Sequence, residues 1–254
     1  EPFNSVVMIE DIHIDADGNA EIIAPATPWQ HVRTVGEDIV ATEMIIAEGA
    51  RIRPIDQAAM LAAGITEIEV FRQPRTGVIP TGSDLVAPGN VITPGDIIEF
   101  NSTLLTGYLS QWGAIPKAYP PVPDEPKRLR EAIQKGVDDS DMVVINAGAS
   151  AGKKDYTAQV LAELGTIVVH GVAIKPGKPV LLAIVDNKPV IGLPGYPISA
   201  LLTMRLFVRE MVYRYLDMPL PPNRKSRRSC RARCFQPWGW INLSGSTSDS
   251  LVKN

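Results

Sequence analysis

The chain has 254 residues, 45% of them hydrophobic, and a formal charge of -3, enough for a sizeable core and for more than one domain. No apolar run approaches the ~18 residues that span a bilayer, and the opening EPFNSVVMIED lacks the basic start and long apolar core of a signal peptide. The mild acidity argues against nucleic acid, and Cys230 and Cys234 lie too close together to staple a long loop; the expectation is a cytoplasmic globular protein with neither nucleic acid nor membrane as partner.

In chain order, residues 1–49 carry short β-like runs, VVMIE, AEII and HVRTV, between DADGN and PATP turns, and show no helical period. They read as part of a small β domain. RIRPIDQAAMLAAGI follows as a linker helix, with Asp56 as cap and Gly64 as stop, and EIEVF as a strand completes a segment over 50–70. Residues 71–217 then alternate between strand and helix. TGVIPTG, AIPKAY, DMVVINAG, TIVVHGVAI, PVLLAIV and KPVIGLPG read as strands. NSTLLTGYLSQWG, DEPKRLREAIQKGV, DYTAQVLAELG and PISALLTMRLFVREMVYRYL read as helices, the first with Asn101 or Ser102 as N-cap and Gly113 as stop. This alternation predicts an α/β fold, a mostly parallel sheet with helices on both faces. Residues 218–254, rich in Arg and Ser, break the pattern and read as a basic tail without regular structure.

Three loops after strands hold residues suited to a ligand, since α/β sheets bind ligands beyond the carboxyl ends of their strands. The first is Thr81, Gly82, Ser83 and Asp84. By itself it reads first as an ordinary polar turn with a capping Asp. The second is AGASAGKKD, where Gly148, Ser150 and Gly152 allow a ligand to approach the backbone and Asp155 opens a helix; it is neither a Walker A loop nor a G-x-G-x-x-G fingerprint. The third pairs IKPGKP with GLPGYPIS. Lys175 and Lys178 flank a Pro-Gly turn, Pro194, Gly195 and Tyr196 shape the second turn, and Pro197 suits the first position of a helix that carries Ser199 in its first turn. Lysines beside a helix start favour a phosphate-bearing ligand. Asp84, Asp124, Glu125 and Asp155 read first as exposed helix caps; as a set they are too acidic for bare phosphate binding unless a divalent metal, with Mg²⁺ the usual choice, sits between carboxylate and phosphate. His13, His31 and His170 lack ligand spacing, and no nucleophile signature appears.

Together these motifs resemble the MoeA/gephyrin E-domain family of molybdopterin molybdenumtransferases. The resemblance runs from about Ser5 to Leu216 through HVRTVGEDIV, GARIRPIDQAAMLAAGITEIEVFRQPRTGVIPTGSDLV, PDEPKRLREAI, NAGASAGKKDYT and IKPGKPVLLAI followed by KPVIGLPGYPISALLT. It implies a molybdopterin-binding, MoaB/MogA-like α/β domain in a homodimer, with a molybdopterin adenylyltransferase-type enzyme as a further partner. It also implies an enzyme that inserts molybdate into adenylylated molybdopterin with release of AMP, assisted by Mg²⁺. On this resemblance Asp84, Asp155, Lys175 and Lys178 are expected to be catalytic. Asp84, Asp124 and Asp155 would be metal ligands, and Thr81, Gly82, Ser83, Gly148, Ser150, Gly152, Pro194, Gly195, Tyr196, Pro197 and Ser199 would contact the substrate.

The chain departs from the family in having GSDL for GDEL, AGASAG for GGVSVG and GLPGYP for GLPGNP. The family's earlier MDGYA stretch should lie before Glu1 and its closing β domain after Leu216, so the resemblance implies a fragment, with a tail arising from a shifted reading frame or an imposed boundary. Two other functions fit the same domain: a non-catalytic pterin-binding homologue, and an adenylyltransferase-like enzyme acting on molybdopterin.

Overall fold

The computed structural model describes residues 3–146 and 156–220, with the backbone of 241–242. It divides into two compact units, Glu1–Glu69 and Val70–Asn254.

In the first unit, a 3-10 turn Ile9–Asp11 leads into the hairpin β1 (Ile12–Ile14) and β2 (Ala20–Ile22). The Asp15 carboxylate closes the connecting turn by accepting from the backbone N–H groups of Asp17 and Asn19. HVRTV, expected as a strand, is irregular and turn backbone, and of VVMIE only the last two residues adopt regular structure, as part of the 3-10 turn. Propensity favoured extension there, but among the described residues no strand pairs with these runs. Helix α1 (Pro54–Ala62) starts on Pro54 and stops before Gly64, which adopts φ +79°. Asp56 acts from the third helical position instead of capping. It accepts from the Arg53 backbone N–H at 2.8 Å and from the Arg53 guanidinium, which satisfies the N–H that precedes the helix but not the reverse half of a capping box, since a guanidinium cannot accept. The Arg53 side chain and then its backbone N–H draw the Asp56 carboxyl down to about 2.

The second unit is built on a six-stranded sheet. Its strands are β3 (Arg75–Pro80), β6 (Ile115–Ala118), β7 (Met142–Asn146), β8 (Thr166–His170), β10 (Leu181–Val185) and β11 (Lys188–Leu193), in the order β6-β3-β7-β11-β10-β8. The pairs β3 with β6, β3 with β7 and β11 with β7 are parallel, while β10 is antiparallel to both neighbours. Outside the sheet, β4 (Leu85–Val86) pairs in parallel with β5 (Ile97–Ile98), and β9 (Ile174–Lys175) pairs with the backbone of β12 (Ile241–Asn242). EIEVF, expected as a strand, is irregular: Ile68 and Val70 are exposed and pair with no strand among the described residues.

The period of two assigns the central strands to two cores. Val78, Met142, Val144, Ile191 and Leu193 face one cluster. It is closed by α2 (Asn101–Trp112) and by a helix built from α5 (Pro197–Thr203), a π turn (Met204–Val208) and α6 (Arg209–Tyr215). Ile79, Val143, Ile145 and Val190 face the other, closed by α3 (Pro126–Asp139) and α4 (Tyr156–Leu164). Strands buried on both faces account for the continuous apolar runs such as MVVI. Gly113 ends α2 in the left-handed region at φ +97°, as expected. Phe100, not Asn101 or Ser102, is the N-cap of α2, and the Glu99 carboxylate accepts the Ser102 backbone N–H at 2.9 Å. A side chain from the preceding residue thus supplies what the cap residue lacks. Among the described residues no helix is long and apolar enough to cross a membrane.

Candidate functional site

The register fixes where ligand-binding loops can emerge. Pro80 pairs with Asn146, and Asn146 with Leu193, so the ends of β3, β7 and β11 lie level in one row. From β3 the chain turns through α2 to β6 on one side. From β7 it continues through α4 to β8 on the other, beyond β11 and β10. The β3/β7 junction is therefore the switch point at which open α/β sheets form their ligand crevice.

The loop after β3 is rigid. Thr81 is buried, and its hydroxyl and backbone N–H both donate to the Asn146 carbonyl, so this residue joins two strand ends. Gly82 N–H donates to the Val122 carbonyl, and Val122 N–H to Pro80. A Cβ on Gly82 would sit 2.8 Å from Asp84 Oδ1 and 3.0 Å from Leu85 Cγ at a φ of +154°, so only glycine leaves the Asp84 carboxylate where it is. The Asp84 carbonyl accepts from Ile97 N–H at 2.7 Å, which anchors its backbone. The Ser83 hydroxyl accepts the Asp124 N–H at 3.0 Å, tying the loop after β3 to the turn before α3. Asp84 and Asp124 are both exposed on these two joined turns.

The Lys-Pro-Gly-Lys turn is held against the helix that begins at Pro197. Gly177 is buried at φ +112°, and a Cβ there would lie 2.5 Å from Thr203 Cγ2 and 3.0 Å from Ile174 Cδ1. Val172 N–H donates to the Lys178 carbonyl at 2.9 Å, which closes the turn and leaves Lys175 and Lys178 as exposed residues. The Lys175-Pro176 peptide bond is cis. Thr203 in turn donates its hydroxyl back to the Ser199 carbonyl at 2.8 Å, so the lysine turn packs one helical turn beyond Ser199. Pro194 is buried, Gly195 and Ser199 are half-buried, and Pro197 takes the first helical position after Tyr196 as N-cap.

One contact was not foreseen from the residues. The Asn101 side-chain amide donates to the Gly195 carbonyl at 2.8 Å, linking the start of α2 to the loop after β11 across 94 positions of sequence. Its Oδ1, the Ser102 hydroxyl and Asn146 Oδ1 are buried without a hydrogen-bond partner among the described residues. The only local signal was an Asn at a helix start, which reads first as a cap. Gly148, Ser150, Gly152 and Asp155 lie outside the described residues.

The donor set at this end of the sheet suits Mg²⁺ shared with a phosphate. Two exposed carboxylates on joined turns match an ion that takes one or two protein carboxylates, waters and substrate oxygens. Among the described residues there is no group of three or more His, Cys, Asp or Glu of the kind a metal cage made only of protein requires. The first unit has a separate concavity of about 570 Å³. There the carboxylates of Glu37 and Glu43 are engaged by the backbone N–H groups of Thr34 and Val40, which makes it a poor candidate for a polar ligand.

Residues 77–214 match the family described as a probable molybdopterin binding domain, and residues 1–64 match the MoeA N-terminal region, domains I and II. A molybdopterin molybdenumtransferase of Haemophilus influenzae is 29% identical over 84% of this chain and 52% of its own length. The enzyme of the same name from a Nostoc strain is 31% identical over 75% of this chain and 45% of its own. The crystal structure of a molybdopterin biosynthesis MoeA protein from Pyrococcus horikoshii superposes with a TM-score of 0.67 at 36% identity, covering 84% of this chain and 53% of that one. The chain thus spans about half the length of the curated relatives it matches.

Proposed function

The chain belongs to the MoeA family of molybdenum cofactor biosynthesis, and from that premise we propose that it binds adenylylated molybdopterin at the β3/β7 switch point and takes part in molybdate insertion with release of AMP. What supports this reading most is the row of strand ends at Pro80, Asn146 and Leu193. The loop after the first of these strands turns on Gly82, and the lysine turn before β10 packs through Gly177 against Thr203 in the helix after the last, both at φ values that favour glycine.

In this reading Asp84 and Asp124 hold Mg²⁺, with Asp155 as a third acidic residue. Bound there, the ion supplies positive charge to phosphate oxygens. Lys175 and Lys178 bring two further cations on a turn fixed against Thr203, where they meet the pyrophosphate and the incoming oxyanion. Charges positioned in advance stabilise developing negative charge without reorganising, usually the largest contribution to such a reaction. The family reading also carries the expected homodimer, to be checked by light scattering.

The test is AMP release by the full chain supplied with adenylylated molybdopterin, molybdate and Mg²⁺. Release that depends on both Mg²⁺ and Lys175 is the expected outcome. Tight binding of the substrate without release would overturn the transferase reading in favour of a pterin-binding homologue.

A further inference from the structure

The Tyr196 residue is 82% exposed although its backbone carbonyl and both chain neighbours are held. Gly195 before it accepts the Asn101 amide at 2.8 Å, and its own carbonyl accepts the Ala200 N–H at 2.8 Å. Pro194 is buried, and Pro197 opens the helix directly after it. A side chain on a fixed backbone loses little freedom on contact, and an aromatic ring has few torsions to order. The position is three residues beyond the last pairing of β11, at the level of the ligand crevice. A second ring, Phe100, is 51% exposed and adjoins Asn101, so exposed aromatic residues flank both ends of the Asn101 to Gly195 hydrogen bond.

The Asn101 side chain makes sense in the same frame. Its amide group is spent on Gly195 while its Oδ1 is buried without a hydrogen-bond partner among the described residues. Stability alone does not favour an arrangement that strands an acceptor, and a buried unpaired group calls for a separate reason. Fixing the loop that presents Tyr196 is such a reason.

We infer that Tyr196 is the stacking platform for the flat heteroaromatic ring of a phosphate-bearing ligand, and that Asn101 is the positioning residue that holds the platform in place. This rests on the reading of the crevice as a phosphate-ligand site. It adds what recognises the ring.

The experiment titrates the full chain by calorimetry with AMP and with ribose 5-phosphate, which keeps the phosphate and lacks the ring. Base-to-aromatic stacking predicts that Tyr196→Ala weakens AMP by about 5- to 100-fold. Ribose 5-phosphate should be unchanged, and Tyr196→Phe should retain AMP binding. Asn101→Ala should also weaken AMP selectively, and the Asn101→Ala/Tyr196→Ala double variant should be no worse than Tyr196→Ala alone, because Asn101 acts through the ring. Unchanged or tighter AMP binding by Tyr196→Ala, or equal loss of both ligands, overturns the inference while leaving the phosphate site standing. Failure of the wild-type chain to bind either compound overturns both.

Discussion

At the amino end of the central strands the Asp141 carboxylate is enclosed. Two guanidinium nitrogens of Arg72 reach it at 2.8 Å, the Arg75 backbone N–H donates to it at 2.7 Å, and Tyr215 donates to its carbonyl. Asp139 nearby accepts from Lys117 and from the Tyr119 hydroxyl. At the carboxyl end, Asp84, Asp124 and Lys175 stand exposed on turns held by backbone contacts. One end spends its charges on holding the fold. At the other, close packing of Gly82 and Gly177 holds the turns, and the charged side chains on them stay exposed.

The largest expected effect comes from attacking that packing. Gly177→Ala places a Cβ 2.5 Å from Thr203 Cγ2 at a φ that L residues rarely adopt, and should cost about 2–4 kcal/mol, read as a fall in Tm by thermal melting. Thr203→Ser in the same chain removes the opposing methyl group and should restore part of the loss. No restoration would mean that backbone strain alone carries the effect.

Next comes Asp141→Asn, which should destabilise by about 1–2 kcal/mol in urea unfolding, the upper part of the range being discounted because Arg72 and Arg75 are 65% and 57% exposed. The Arg72 guanidinium, followed by the Arg75 N–H, holds the Asp141 carboxyl below the usual carboxylate range against an opposing contribution from burial. A depressed folded-state pKa gives stability that is fully present above the unfolded value near 4 and lost as pH falls through the folded one. The gap between wild type and Asp141→Asn should therefore be widest at neutral pH and close in acid.

Asp84→Asn should invert the pattern. Stability should change by no more than about 0.5 kcal/mol, while Mg²⁺-dependent binding of AMP, followed by calorimetry, should fall clearly. A large loss of stability here would erase the contrast between the two ends. The smallest effect is expected in the first unit, where Asp56→Asn removes the partner of Arg53 and should fray only α1, seen as a modest loss of helical circular dichroism that disappears as pH falls toward 2.

Much of this was legible locally. DMVVINAG announced a strand buried on both faces, Gly113 a helix stop and Pro197 a helix start, because each follows from the residue's own allowed backbone and from apolar period. The small turn in KPGK was visible too, but not what it rests on. EIEVF shows the limit in the other direction: its alternation fits a strand, yet without a neighbour to pair with it stays irregular.

By itself, then, the sequence determined the alternation of elements, the two buried faces of the strands and the glycines and prolines at the loop corners, all set by contacts within a few residues. Only the tertiary structure decided that β10 runs against its neighbours, that Thr81 turns inward to Asn146, that Gly177 meets Thr203, and that Asn101 reaches Gly195. These depend on pairs brought together by strand order and register, and neither is encoded in the propensities of either partner alone.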